Sequence, residues 1–229
     1  GGPLARRRYA EAQAAAAIAD VQYDVLDIHN GELEPSVGVR KLVIQIMREA
    51  KADLVLCHRP WDYHPDHRAV GVVVQDAAYT VTVPNMAPLS QPLLRPPVVG
   101  YLFDGFTDPT PYRATIAIAT DDVFERKVEM VHCHVSQMYE WLPYNGGVLD
   151  QVPEDDAGRR AMTARNMQAR FGHVADACRD SLVRCDGEKR GKAVQTAESI
   201  MVSQYGRGLG EEDVPSLFPF LPKRRKYLA

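Results

Sequence analysis

Within the 229 residues, chemistry concentrates in the stretch Asp62-Tyr63-His64-Pro65-Asp66-His67-Arg68. Two histidines and two carboxylates fall within six consecutive residues. His64 and His67 are three apart, which lets both project to one side of a first helical turn, and Asp62 and Asp66 can accept from ring N–H groups and fix the tautomers. Imidazole with carboxylate support is zinc-type ligation. A catalytic zinc needs about three protein ligands and an open position for water, and this stretch supplies one or two. Asp62 is suited either to the metal or to a histidine. The bland alternative makes Asp66 an N-cap and the histidines solvated loop residues.

The elements around the stretch favour the functional reading. Leu54-Val55-Leu56-Cys57 is a short continuous apolar run, as expected of a strand buried on both faces, and it ends at His58. His58 therefore lines any pocket at that strand's end. Pro60 and Pro65 stop the strand, and Val70, Val73, Val74, Ala77, Ala78 and Val81 then recur at helical spacing. A polar loop between a strand and a helix is where open α/β sheets bind ligands. His29, His132, His134 and His173 are scattered and read as structural.

Helix and strand signals alternate through residues 1–80, the pattern of an α/β fold with a mainly parallel sheet. Arg6 to Ala19 reads as a helix, Val21 to Ile28 as a strand ending at the turn His29-Asn30-Gly31, and Ser36 as the cap of a helix carrying Val39, Leu42, Val43, Ile46, Met47 and Ala50 on its apolar face. Five prolines from Pro84 to Pro97 mark a long irregular connection. Strands are predicted at Val98 to Phe103 and Ala114 to Ala119, and helices at Asp121 to Met138, Met167 to Cys185 and Ala193 to Tyr205. Residues 1–150 are expected to form the Rossmann-like catalytic domain and 151–229 a helical C-terminal extension packed on it.

With 27 Lys+Arg against 30 Asp+Glu, the net charge is -3. No sustained basic stripe is present, which argues against a dedicated nucleic-acid binder; the basic tail Lys223 to Lys226 reads as a solvated terminus. No apolar run approaches the roughly 20 residues of a membrane span. Four scattered cysteines are too few for a disulfide framework, and Cys178 and Cys185, seven apart on a helix, lie about 10 Å apart along its axis. All four read as core thiols of a reducing compartment, and a cytoplasmic location is expected.

The loop and helix start "DYHPDHRA" resemble the second motif of the PIG-L/LmbE-like N-acetylglucosaminyl deacetylases. Three further segments agree: "RRRYAEAQAAAA" at Arg6 to Ala17 is similar to an Arg-x-x-Glu helix, "HVSQ" at His134 to Gln137 to a His-x-Ser-Gln segment, and "AESIMVSQYG" at Ala197 to Gly206 to a late Glu-containing helix. The resemblance implies a Rossmann-like three-layer sandwich and a zinc-dependent amidohydrolase of N-acetylated amino sugars, releasing acetate and a free amine. It implies His67 as the zinc ligand, His64 as the group that polarises the amide carbonyl or protonates the leaving amine, and Asp66 as the carboxylate orienting His64. Arg8 is implied as a substrate contact, and His134 and Gln137 as structural; His58 and Asp62, from their places at the strand end and in the loop, are expected as substrate-side pocket residues. The family's first motif, Ala-His-Pro-Asp-Asp, has no counterpart here. The expectation is therefore a chain lacking the first strand, binding zinc weakly and catalysing poorly by itself. Two rival readings are a non-catalytic binding protein that keeps the His-Pro-Asp-His loop, and a metal hydrolase of esters or phosphoesters.

Overall fold

The computed structural model describes residues 2–224 and 226–229. In chain order the elements are α1 (Pro3–Ala19), α2 (Val37–Glu49), β1 (Leu54–Cys57), α3 (Pro65–Thr80), β2 (Val98–Leu102), β3 (Ile116–Ala119), α4 (Phe124–His132), α5 (Leu142–Asn145), α6 (Asp156–Ala177), α7 (Arg179–Asp186), α8 (Glu188–Ala193), β4 (Ala197–Gly206) and α9 (Val214–Leu217). The chain forms two compact units that interleave along the sequence. One takes the chain through Asp27, Ala119–Asp176 and Val194–Ala197; the other takes Ile28–Ile118, Ala177–Ala193 and Glu198–Ala229.

The sheet order is β1-β2-β4-β3. β1 pairs parallel with β2, and β2 antiparallel with β4. Thr115 N–H donates to Ile200 O and Thr120 N–H to Thr196 O, so β3 also runs opposite to β4. Three of the four strands thus point one way, and β4 is the reversed one between them. Successive strand residues face opposite sides of a sheet. On β4, Ile200 joins a core with Ile116, Cys185, Val214 and Phe218, whereas Met201 packs on a core of Ile44, Met47, Cys57, Val74, Ala77, Val99 and Tyr101. The second unit is therefore layered, with α2 and α3 on one face of the sheet and α7 and α9 on the other, which is the expected α/β sandwich.

In the first unit α1 lays the small residues Ala12, Ala15 and Ala16 into the interior, where Val128, Met167, Val174 and Ala175 are also buried. The buried Glu11 carboxylate accepts from Ser136 N–H (2.9 Å) and Ser136 Oγ (2.6 Å). Two segments that carried the family resemblance separately, Arg-x-x-Glu and His-x-Ser-Gln, are joined by that contact. Among the described residues no helix is long and apolar enough to cross a membrane. Arg225, within the basic tail, lies outside the described residues.

Several expectations are corrected. Val21 to Ile28 is not a strand: Val21, Tyr23, Val25 and Leu26 are exposed, and without a ladder partner β-propensity has nothing to act on. Ala193 to Tyr205 is not a helix but holds β4, whose buried Ile200 and exposed Tyr205 follow strand geometry. β1 is an edge strand, so Leu56 stays 43% exposed while β2 is the strand sealed on both faces. The helix expected over Met167 to Cys185 is two helices broken at Cys178, whose thiol is bonded to Ser199 Oγ. The helix expected over Asp121 to Met138 ends at His132, and a wider-turned helical segment follows at Ser136–Trp141. Asp121 caps no helix; its carboxylate accepts from Thr196 N–H at 2.7 Å. On α2 the buried face carries Ile44 and Arg48, with Ile46 exposed. Of the four cysteines three are buried and Cys133 is partly exposed; all are free.

Candidate functional site

β1 delivers His58 at its carboxyl end, and Pro60 forces the chain out of the sheet. α3 begins at Pro65, whose missing N–H falls where a helix has no intrahelical acceptor for it. The cap is His64, not Asp66: His64 Nδ1 accepts from Asp66 N–H at 3.2 Å. Asp66 turns instead to the 29–33 turn, where its carboxylate accepts from Gly31 N–H (2.7 Å) and Leu33 N–H (3.2 Å). The Gly31 N–H, above all, holds the Asp66 carboxyl below its ordinary value. Asp66 Oδ2 stays 4.0 Å from His64 Nδ1, so its backbone rather than its carboxylate orients that ring.

Asp62 organises the other side. Its Oδ1 accepts from His64 N–H (2.9 Å) and from His67 Nδ1 (3.0 Å), and its Oδ2 lies 4.0 Å from His58 Nδ1. The rings of His58 and His67 stack at 4.0 Å with 4° between planes, and the His64 ring lies 4.8 Å from that of His67. Desolvation, then the neighbouring His67, pushes the His58 imidazole below its ordinary value.

These contacts fix opposite tautomers. A carboxylate only accepts, so His67 carries its proton on Nδ1 and leaves the Nε2 lone pair available; a backbone N–H only donates, so neutral His64 carries its proton on Nε2. His58, Asp62 and His67 offer ligand atoms all within 4.8 Å of one another, a nitrogen and carboxylate set of the kind that zinc takes. His67 backed by Asp62 is the usual carboxylate–histidine support of a metal ligand. His58, expected only to line the pocket, and Asp62, suited to either a metal or a histidine, thus stand with His67.

One residue the sequence did not flag is Arg59. Its guanidinium is fully buried, bonded to both oxygens of Asp104 and to the carbonyls of Phe106 (2.9 Å) and Thr110 (2.8 Å). It ties the 104–110 segment to the histidine loop, and only its burial, not its context in sequence, signals this. An open cavity of about 470 Å³ is lined by Trp61, Asp62, Tyr63, Arg68 and residues 105–109. Arg8 stands on α1 in the first unit, with its Nε buried and without a hydrogen-bond partner among the described residues. The histidine loop belongs to the second unit.

Residues 2–78, which end inside α3 and include the loop, match the model of the family described as GlcNAc-PI de-N-acetylase, PIG-L. The chain is 29% identical over 159 residues to the diacetylchitobiose deacetylase of Thermococcus kodakarensis, covering 63% of this chain and 56% of that protein. Among solved structures it is similar to N,N'-diacetylchitobiose deacetylase from Pyrococcus horikoshii, with a TM-score of 0.60 and 19% identity over 87% of this chain and 64% of that one. It is equally similar in fold, with a TM-score of 0.60, to the 4-carboxy-2-hydroxymuconate hydratase GalB from Pseudomonas putida, at 17% identity over 90% of this chain and 75% of that one. At such identities the structures speak for the fold alone.

Proposed function

We propose that the chain, whose residues 2–78 match the PIG-L family model, is a PIG-L/LmbE-like protein that serves the metal-dependent hydrolysis of the acetamide of an N-acetylated amino sugar or sugar conjugate, in the cytoplasm. The observation that carries the reading is the opposed tautomers of His64 and His67. His67 keeps an Nε2 lone pair for a metal and His64 an Nε2–H that can donate a hydrogen bond to an oxyanion, two roles that amide hydrolysis at a metal uses.

His67 Nε2 would be the principal zinc ligand, oriented by Asp62, with the His58 ring and the Asp62 carboxylate completing the donor set on this chain. Zinc, when bound, supplies Lewis acidity toward water and toward the acetamide oxygen. His64 Nε2–H would donate a hydrogen bond to the oxygen on which charge develops as water adds to the carbonyl carbon, and a proton released by that water would go to the amine nitrogen as the C–N bond breaks. The products are acetate and a free amino sugar. No second His-Pro-Asp occurs in the 229 residues, so the reading expects this chain alone to hold zinc weakly and turn over slowly.

The test compares two substitutions by calorimetric zinc titration and by release of free amine from an N-acetylglucosamine conjugate. In the intact protein, His67→Ala should abolish tight zinc binding. His64→Ala should keep it and lower turnover about 100-fold or more. Equal loss of metal in both variants would sink the division of roles. Zinc binding with no amine released would favour a binding protein that has kept the loop.

A further inference from the structure

The three histidines around the loop are not held alike. His67 is oriented by the Asp62 carboxylate at 3.0 Å, and His64 by the backbone N–H of Asp66 at 3.2 Å. His58 has neither kind of support: its Nδ1 stands 4.0 Å from Asp62 Oδ2, beyond hydrogen-bond reach, and among the described residues no group hydrogen-bonds to its ring. The sheet does not direct it either, because the last ladder pair of β1 is Cys57 with Tyr101, one residue earlier. Yet its ring lies 4.0 Å from that of His67, with 4° between planes. Something else must fix the backbone at residue 58.

The next residue supplies it. Arg59 is 1% exposed, and its guanidinium makes four hydrogen bonds: Nε and Nη2 donate to the two oxygens of Asp104, Nη2 also to Phe106 O (2.9 Å) and Nη1 to Thr110 O (2.8 Å). The cation also lies 5.9 Å from the ring centroids of both Trp61 and Tyr112. The same stretch of backbone lies against α3, where a Cβ at Gly71 would meet His58 O and Pro60 N at 2.8 Å. A side chain anchored at four points and a helix in backbone contact leave the direction of the neighbouring His58 side chain little freedom. A planar guanidinium can hold a carboxylate and two carbonyls at once; a lysine ammonium cannot match that fork.

We propose that Arg59, locked to Asp104 and to the Phe106 and Thr110 carbonyls, is a positioning residue that holds the His58 ring face to face with His67 and so presents His58 as a metal ligand. The inference rests on the metal site of the hydrolytic reading and adds to it the residue that sets one of its donors. Buried as it is, Arg59 acts only through its neighbour.

The first readout needs no metal. A ring stacked at 4.0 Å shifts the proton resonances of its neighbour, so the His58 ring protons, assigned by their loss in His58→Ala, should carry that shift in the metal-free protein. Arg59→Lys keeps the charge but not the fork. In it the His58 signal should lose its ring-current shift, while those of His132 and His173, in the other compact unit, stay in place. Zinc titration is the second readout: Arg59→Lys should weaken binding about tenfold in the parent, as when a metal ligand loses its support, and by less than about twofold in a His58→Ala background. Asp104→Asn, which spares the two carbonyl bonds, gives the same test should Arg59→Lys fail to fold. An unmoved His58 signal, or a loss of zinc affinity of equal size with and without His58, would overturn the proposal. The expected zinc result without any amine released would defeat the hydrolytic reading alone; amine released with an unmoved His58 signal would defeat this inference alone.

Discussion

His64 and His67 share one helical turn yet are held by different chemistry: a backbone N–H on Nδ1 of the first, a carboxylate on Nδ1 of the second. Spacing placed both rings on one side, but their protonation was decided by partners that only the folded loop supplies. The Asp66 carboxylate illustrates the same point, since it serves the Gly31 turn rather than the ring beside it. The cysteines show how burial sets reactivity at this scale. Burial pushes the Cys57 thiol up to about 12 and raises those of Cys178 and Cys185, while Cys133 is less buried. A thiolate is the reactive form, so a native-state thiol assay at pH 8 should label Cys133 first and the other three only on unfolding. Rapid labelling of Cys57 in the native protein would contradict this packing.

At the scale of elements, α3 matters because it holds His67 against the end of β1. Its closest approach is at Gly71, where a Cβ would meet His58 O and Pro60 N at 2.8 Å and Arg59 C at 3.0 Å, all backbone atoms that cannot swing aside. Gly71→Ala should therefore push α3 off the His58–Pro60 segment and cost about 1–3 kcal/mol. It should weaken zinc binding although residue 71 touches no metal. Urea unfolding and zinc titration of the variant check both effects; unchanged stability would mean the close approach is relieved at little cost. The periodicity of α3 was legible because Val73, Val74, Ala77 and Ala78 do face the core. The segment from Ala197 was not: Ala, Ile, Met and Val fit a helical stripe as well as a strand, and the neighbours β2 and β3 decided between them.

For the whole molecule, the chain passes between its two units several times, at Asp27, Ile118, Asp176, Val194 and Glu198. Such interleaving makes the second unit depend on contacts far apart in sequence. One of its closures is the turn after β4, where Asp213 accepts from Gly210 N–H (3.0 Å) and Arg207 (2.7 Å), while Arg207 N–H donates to Pro97 O. The Gly210 N–H first, and Arg207 next, hold the Asp213 carboxyl below its ordinary 3.8. A folded-state value below the unfolded one means that this contribution is present above pH 3.8 and is lost as pH falls through the folded-state value. Asp213→Asn should thus be less stable than the parent at pH 7, with the gap between their urea midpoints closing below pH 3.8; a gap independent of pH would remove the charge from the account. The amino-acid sequence by itself determined the α/β class, the helix that starts at the histidine loop, and which residue types could hold a metal, because these depend on local periodicity and on donor chemistry. The tertiary structure alone decided that β4 lies reversed between β2 and β3, that His58 and Asp62 join His67, and that the buried Arg59 ties down the 104–110 segment. Each of those rests on partners some 4 to 100 residues away, and no local pattern encodes a contact that exists only once the chain has closed on itself.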